Sequence, residues 1–429
     1  MAFKMLCIGD VHLGRLPSRV PETLRQETLS SAAALRSAVE YAVNSEVDAV
    51  VFAGDLVDSD KCRFEVLPLL ADAVRTLSEA GIKTVAVAGN HDVEALPRLK
   101  DLVGDFRIIG SGGTWEEITL QGKDGTAVKI LGWSFPRSSS GSYRKNPLTL
   151  LDKKEFTGPV IGIIHADTDT EHSSYAPLRR AELEAVPVSA WLLGHIHKPD
   201  RLDTMRRPVG YLGSLCGLDP GEPGEHGAWL AEVDAGGSVQ MTLIPLAPLR
   251  WERLEIDVSS IDAYNIDDTA DALIRLIKNK MTDFCRGNEA ELDHLKSIGF
   301  RISLTGRTPA SALIQPALRT LGTDAATFKS DSVVLFSEKI INNTLPALNI
   351  AEIAKGKDAA AIIARKITAL EQHAPEADEI MKNAVRKLPE RIPAALRPYA
   401  MNMLEEREKL RSTLLESAYA ALDALYRQN

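Results

Sequence analysis

Phe3-Lys4-Met5-Leu6-Cys7-Ile8-Gly9-Asp10-Val11-His12 is an apolar run that ends on a glycine, a carboxylate and an imidazole. The pattern recurs along the first half of the chain. Ala49–Ala53 leads to Gly54-Asp55-Leu56-Val57-Asp58, and Thr84–Ala88 leads to Gly89-Asn90-His91-Asp92. Val160–Ile164 ends directly at His165, and Trp191–Leu193 leads to Gly194-His195-Ile196-His197. Short apolar runs bounded by glycine read as buried strands. Between the first three, Glu22–Val43 carries Leu29, Ala33, Ala34, Val39 and Val43 at helical spacing, and Glu65–Ala80 reads as a helix that stops at Gly81. A β-α-β-α-β order of this kind predicts right-handed crossovers and a largely parallel sheet buried between helices.

Working outward, the chain changes character near residue 107. Closely spaced strands are predicted at Arg107–Ile109, Trp115–Leu120, Ala127–Trp133, Pro159–His165, Ala190–Gly194, Val209–Leu212, Ala228–Val233 and Val239–Ile244, with Gly-rich turns among them. Pro245-Leu246-Ala247-Pro248 reads as a boundary. The expected fold class is therefore α/β, a layered β-sandwich flanked by helices over residues 1–245. A small α+β domain over 250–345 follows, built on Trp251–Val258, Asp268–Met281 and Gly299–Leu304. A helical region over 346–429 completes the chain, interrupted near Pro389, Pro393 and Pro398. There Leu410, Leu414, Ala418, Ala421 and Leu425 form an apolar stripe that suits internal packing or a partner helix.

Composition sets limits around this reading. The chain has 429 residues, 45% hydrophobic and 25% charged, in the ordinary globular range. At about 150 residues per domain, two or three domains are expected. No apolar run is long enough for a membrane span, and the opening run reads as a first strand and not as a leader, which predicts a cytoplasmic protein. The four cysteines, Cys7, Cys62, Cys216 and Cys285, show no CxxC spacing, which argues against a disulfide framework or a zinc ribbon. Fifty Lys and Arg against 59 Asp and Glu give a net charge of -9, so nucleic acid could be met only through a local basic patch, metal ions or a partner.

In open α/β sheets the carboxyl ends of the strands line the ligand crevice. Five such strands can gather Asp10, His12, Asp55, Asn90, His165, His195 and His197 at one edge. Alone, each Gly-Asp after a strand is a turn more often than a ligand; five in series are not. Carboxylate, amide oxygen and imidazole suit Mn²⁺, Fe²⁺ or Zn²⁺. Seven ligands exceed what one ion takes, but with one carboxylate shared they suit two ions of four ligands each. Such a pair clamps the attacking and leaving oxygens of a phosphoryl displacement. A glycine before each ligand is expected to supply the tight backbone that turns the side chain into the cleft.

The ordered series GDVHLG, GDLVD, GNHD, a later histidine and GHIH resembles the calcineurin-like metallophosphoesterase superfamily. The six-residue GDVHLG form, Gly213-Ser214-Leu215 and the run Gly221-Glu222-Pro223-Gly224-Glu225-His226-Gly227 resemble its DNA-repair exonuclease branch, the SbcD-like nuclease subunits. Tyr175-Ala176-Pro177-Leu178 and Trp191–Lys198 are similar to YhaO-like members. The resemblance implies an enzyme, a dinuclear and Mn²⁺-dependent phosphodiesterase acting on DNA as exonuclease and single-strand endonuclease. Asp10, His12, Asp55 and His197 would hold one ion, and Asp55, Asn90, His165 and His195 the other. His91 would protonate the leaving oxygen, and Asp92 would orient a ligand. The resemblance also implies an SMC-like coiled-coil ATPase partner (SbcC-like) and homodimerisation.

Two departures stand out. Asp58 occupies a position where some members carry a second histidine, and Ser59-Asp60 replaces the Arg-Gly of the superfamily's protein phosphatases, which demotes that activity. Arg15, Arg137, Arg144 and Lys198 fall in loops and read equally well as phosphate-backbone contacts or as solvated charge. His172 and His226 read as surface histidines. Two further functions stay open: a phosphodiesterase or phosphatase for small nucleotides on the same metals, and a non-catalytic scaffold, against which stands the full set of ligands.

Overall fold

The computed structural model describes the chain except for residues 1, 25, 59–62, 98–104, 138–141, 153–154, 171, 289–291, 323–324, 392–406 and 428–429. Two compact units result: Met1–Gly306 with Leu313–Asn343, and Arg307–Ala312 with Thr344–Asn429.

The first unit is built on two sheets. One contains β1 (Phe3–Ile8), β2 (Ala49–Phe52), β3 (Lys83–Ala86), β4 (Phe106–Ile108), β10 (Gly227–Val233) and β11 (Val239–Pro245), in the order β11-β10-β1-β2-β3-β4. From β1 to β4 the pairing is parallel, as the alternation of strand and helix requires. The other sheet contains β5 (Trp115–Gln121), β6 (Ala127–Trp133), β7 (Val160–His165), β8 (Ala190–Gly194) and β9 (Val209–Tyr211), in sequence order. The predicted layered sandwich with flanking helices is the observed one.

Strand alternation explains the layering. Phe3, Met5 and Cys7 point from β1 into the space between the sheets, where they meet Ile130, Ile161, Ile163 and Leu192. Leu6 and Ile8 point the other way, onto α1 (Ser31–Asn44) and α2 (Arg63–Glu79) through Ala34, Ala38, Leu70 and Val74. The outer face of the second sheet is closed by Trp133, Trp191 and Leu193 against Leu183 of α3 (Arg180–Ala185). The helix expected over Glu22–Val43 is shorter than predicted. Ser30 is extended (φ -85°, ψ 167°) and its hydroxyl donates to the Glu27 carbonyl at 2.7 Å, so α1 starts only at Ser31.

A third sheet completes this unit: β12 (Leu249–Asp257), β13 (Ser297–Thr305), β15 (Phe328–Ser330) and β16 (Val333–Asn342), ordered β12-β13-β16-β15. The sequence pattern marked β12, β13 and α4 (Ile266–Gly287), but not β15, β16 or α5 (Ser311–Leu321). Trp251 and Phe336 of this sheet pack with Val20 and Leu29 of the loop before α1.

The second unit holds a short parallel pair, β14 (Arg307–Thr308) with β17 (Leu345–Pro346), and the helices α6 (Ile350–Ile353), α7 (Ala359–Glu371), α8 (Pro375–Arg391) and α9 (Arg407–Arg427). α8 runs through Pro389 and ends two residues later at Arg391; Pro393 and Pro398 lie outside the described residues. Leu410 and Leu414 of the apolar stripe pack on Leu370, Ala377 and Met381, and Ala418 and Leu425 pack around Ile367 and Leu422, so these positions serve the bundle's own interior. Among the described residues no helix is long and apolar enough to cross a membrane.

Leu192 is 1% exposed between the two main sheets. Leu192→Ala should therefore lower unfolding free energy by about 2–5 kcal/mol in urea titrations. A loss well under that range would mean that the inter-sheet layer collapses around the gap and is not close-packed.

Candidate metal centre

The turns after β1, β2, β3, β7 and β8 converge at one end of the sandwich. Backbone hydrogen bonds lock the turns after β1 and β2 together: His12 N–H donates to the Asp55 carbonyl at 2.9 Å and Leu13 N–H to that of Leu56 at 2.8 Å. Asp92 ties in the third turn. Its buried carboxylate accepts from Leu56 N at 2.6 Å and from Gly89 N at 2.8 Å, so it orients Asp55 and Asn90 through their neighbours' backbone. The second sheet joins through His165 Nδ1, 3.1 Å from the Ala53 carbonyl.

All seven predicted ligands come together. His12 Nε2 and His197 Nε2 lie 3.0 Å apart, with Asp10 in the same cluster. Asp10, Asp55 and His165 form a second cluster. There His165 Nε2 is 3.1 Å from Asn90 Oδ1 and 3.4 Å from Asp55 Oδ2, and that same oxygen stands 3.9 Å from His12 Nε2. His195 is drawn in less tightly, with its ring centroid 5.2 Å from that of His165 and its backbone N–H held by both Asp10 oxygens at 3.0 Å. Two donor atoms bound to one ion at about 2.1 Å and at tetrahedral or octahedral angles stand roughly 3.0–3.4 Å from each other. The separations of 3.0, 3.1 and 3.4 Å match that spacing, so the residues present fit a pair of divalent cations.

Residues 3–199 match the family model for calcineurin-like phosphoesterases. The chain carries a calcineurin-like phosphoesterase domain. Among curated proteins it is similar to the uncharacterized metallophosphoesterase YhaO of Bacillus subtilis, 24% identical over 268 residues, 58% of this chain and 62% of that one. It is also similar to the DNA double-strand break repair proteins Mre11 of Methanopyrus kandleri and Aeropyrum pernix. The first is 25% identical over 280 residues (58% of each chain), the second 28% over 272 residues (59% of this chain, 64% of that one). The chain thus spans between 58% and 64% of the length of these three relatives.

The phosphoesterase centre takes its electrostatics from two carboxylates out of water, Asp10 at 1% and Asp55 at 2% exposure. Burial raises the Asp10 pKa, and the Asp55 charge adds to that despite His165. Burial acts the same way on Asp55, but His165 and then His12 outweigh it and hold that carboxyl well below the usual range. Desolvation alone would lower His165; the charges of Asp55 and Asp10 reverse this and lift it to about 9. Burial and the neighbouring His165 push His195 down to about 4. Asp92, buried and close to Asp55, rises to about 7.

The glycines act differently from the expectation. Gly54 does adopt φ +96°, but Gly9, Gly89 and Gly194 are not left-handed; the ligands are, with φ of 28° at Asp10, 47° at His12, 49° at Asp55 and 104° at His195. At Gly89 the need is for space, because a Cβ there would collide with the Asp55 carboxylate.

The predicted basic residues divide. Arg15 follows His12 by three residues, and its charge is felt at Asp58 and His197. Exposed Lys198 directly follows His197 and lines, with Arg201 and Arg250, an open cleft of about 780 Å³. Arg137 pairs with Glu94 at 2.9 Å. Arg144 is exposed, and among the described residues no contact ties it to the centre. His172 is exposed as expected, but His226 is not a surface residue: it is 3% exposed and sits between Ser214 and the Glu222 carbonyl. Sequence reading also missed Glu222, 2.6 Å from His197 Nδ1. The recurring Gly-Glu of Gly221–Gly227 was the available signal.

Two outcomes follow from this geometry. A metal-free His165 with a pKa near 9 is protonated at neutral pH and must lose that proton to accept an ion, so affinity for divalent cations should climb as pH rises towards 9. Calorimetric titrations in buffers of different ionisation enthalpy should give different heats; equal heats would show that no proton leaves. Gly89→Ala should lose about 10–100-fold in metal affinity while keeping its circular dichroism, and unaltered binding would mean that the Asp55 turn yields without loss.

Proposed function

We propose that the chain is a dinuclear metal-dependent phosphodiesterase that hydrolyses DNA phosphodiester bonds in repair, as an exonuclease and single-strand endonuclease. The observation that carries the two-ion reading is the shared carboxylate: Asp55 Oδ2 faces His165 Nε2 at 3.4 Å and His12 Nε2 at 3.9 Å. Asp10, His12, Asp55 and His197 would hold one ion, and Asp55, Asn90, His165 and His195 the other. A donor set of oxygen and imidazole without thiolate suits Mn²⁺. When bound, such a pair supplies Lewis-acid stabilisation of phosphoryl charge and an attacking water acidified towards neutral pH.

The chain's own side chains supply proton transfer and positioning. His91 is exposed at the rim, edge-on to His12 with centroids 5.2 Å apart, and its Nδ1 lies 2.5 Å from the Asp58 carbonyl. In the doubly protonated ring, Nδ1–H is donated to that carbonyl and the Nε2 proton passes to the leaving 3′ or 5′ oxygen, which leaves the neutral imidazole. Arg15, Arg137, Arg144 and Lys198 would meet the phosphate backbone, which gives local attraction to a chain whose net charge is -9. DNA as the substrate is supported by the similarity to proteins named for double-strand break repair. A coiled-coil ATPase of the SMC type, docked on residues 250–345 or the C-terminal helices, and a second copy of this chain are the partners in this reading.

Incubation with Mn²⁺ and an end-labelled oligonucleotide, beside cyclic nucleotides, tests the substrate. Shortening of the oligonucleotide is expected; hydrolysis of the cyclic nucleotides alone would move the assignment to small nucleotides. His91→Ala should cut oligonucleotide turnover by about 10²–10⁴-fold with metal content still at about two ions per chain. The deficit should shrink for p-nitrophenyl esters, whose leaving group needs no proton. Full turnover in that variant would remove His91 from the chemistry.

A further inference from the structure

The two imidazoles whose Nε2 atoms converge, His12 and His197, each have a carboxylate at the opposite ring nitrogen. Glu222 Oε1 lies 2.6 Å from His197 Nδ1. Glu222 is itself pinned: its Oε2 accepts from Leu218 N at 2.9 Å, and its carbonyl faces the buried His226 Nε2 at 3.2 Å. His226 is fixed in turn by the Ser214 hydroxyl, 2.9 Å from Nδ1. On the other ring, His12 Nδ1 is buried without a hydrogen bond and faces Asp58 Oδ1 at 3.4 Å. His165 differs, since its Nδ1 meets the neutral Ala53 carbonyl at 3.1 Å.

A carboxylate that accepts a hydrogen bond from the Nδ1–H of a histidine fixes the tautomer, leaves Nε2 as a bare lone pair and makes that lone pair a better donor. A backbone carbonyl fixes the tautomer too, but the bond lacks the charge that strengthens the first kind. His197 and His165 therefore differ in what stands behind their rings, a carboxylate in one case and a backbone carbonyl in the other.

We propose that Glu222, seconded by Asp58, is a positioning residue that makes the Asp10/His12/His197 half the tighter ion site, so that a divalent pair loads in order, this half first. The inference rests on the two-ion reading above. It concerns affinity at one of two sites, which activity alone would not report.

Titration of the metal-free, full-length chain with Mn²⁺ separates the possibilities, read by calorimetry and by electron paramagnetic resonance. Wild type should bind in two steps, with an isolated-ion spectrum at one equivalent and a spin-coupled pair only after the second. Glu222→Gln keeps the shape and removes the charge. It should weaken the tighter step by about 10–100-fold, leave the weaker one in place, and bring the coupled signal in at the first equivalent. Asp58→Asn, at a side chain 32% exposed, should weaken the same step without disturbing the fold. Glu225→Gln, in the same loop but paired with Arg250 at 3.7 Å, serves as the control and should leave both steps unaltered. Equal weakening of both steps in Glu222→Gln, loss confined to the weaker step, or no change in either carboxylate variant would overturn the proposal. Failure of the wild-type chain to take up two ions would instead remove the two-ion reading, a result distinct from these.

Discussion

Two carboxylates held out of water beside one another are the constraint on which the rest of the phosphoesterase domain depends. Asp10 and Asp55 are almost fully buried, and each would expel charge if left alone. Removing ions from water costs more than a single contact returns, so such a pair persists only where positive charge stands within a few ångströms. His165 occupies that place, 4.0 Å from Asp10 Oδ1 and 3.4 Å from Asp55 Oδ2. The two carboxylates raise the pKa of this ring against the opposing effect of burial. The donor set around that ring is what a pair of cations would complete.

The backbone carries a related load. Asp10, His12, Asp55 and His195 all adopt left-handed angles that cost non-glycine residues on the order of 1 kcal/mol or more each. The surrounding bonds hold them there: His12 N to the Asp55 carbonyl, His195 N to Asp10, and Asp92 across two turns. None of these loops could keep its conformation alone. Because each turn is braced by a different one, the site assembles as a unit, and the rigid layer beneath it, with Cys7, Val51, Ile163 and Leu192 between the sheets, fixes where the turns begin.

Much of this was legible in the sequence because it rests on local signals. A strand that must be buried on both faces is an apolar run whatever its partner, so β1, β2, β3, β7 and β8 were readable, and the residue that follows each run stands at the sheet edge by necessity. What stayed hidden depends on distant partners. Ser30 ends a helical pattern through a hydrogen bond, and nothing in the period of Glu22–Val43 announces it. The strands β15 and β16 lie in the small third sheet, where half-exposed positions blur the alternation. His226 looks like a surface residue in a polar loop because its burial comes from Ser214 and the folded-back Glu222 carbonyl. Glu222 itself was passed over as one acid among 59 Asp and Glu.

That same loop joins the third sheet to the centre. Trp251 Nε1 donates to the Gly217 carbonyl at 3.0 Å, Gly224 N donates to the Trp251 carbonyl at 2.9 Å, and Glu222 lies between those two anchors. Trp251 is 1% exposed and packs edge-on against Phe336, with centroids 5.5 Å apart, so it moves only if β12 and β16 move with it. The carboxylate behind His197 is thus held by a strand that contributes no ligand. Two hydrogen bonds and one carboxylate connect the third sheet to that imidazole of the centre. His165, backed by the Ala53 carbonyl at the end of β2, is held by the main sheets and lies off that path. The two halves of the centre are therefore held from different parts of the fold, His197 through the Glu222 loop anchored on β12 and His165 through the end of β2.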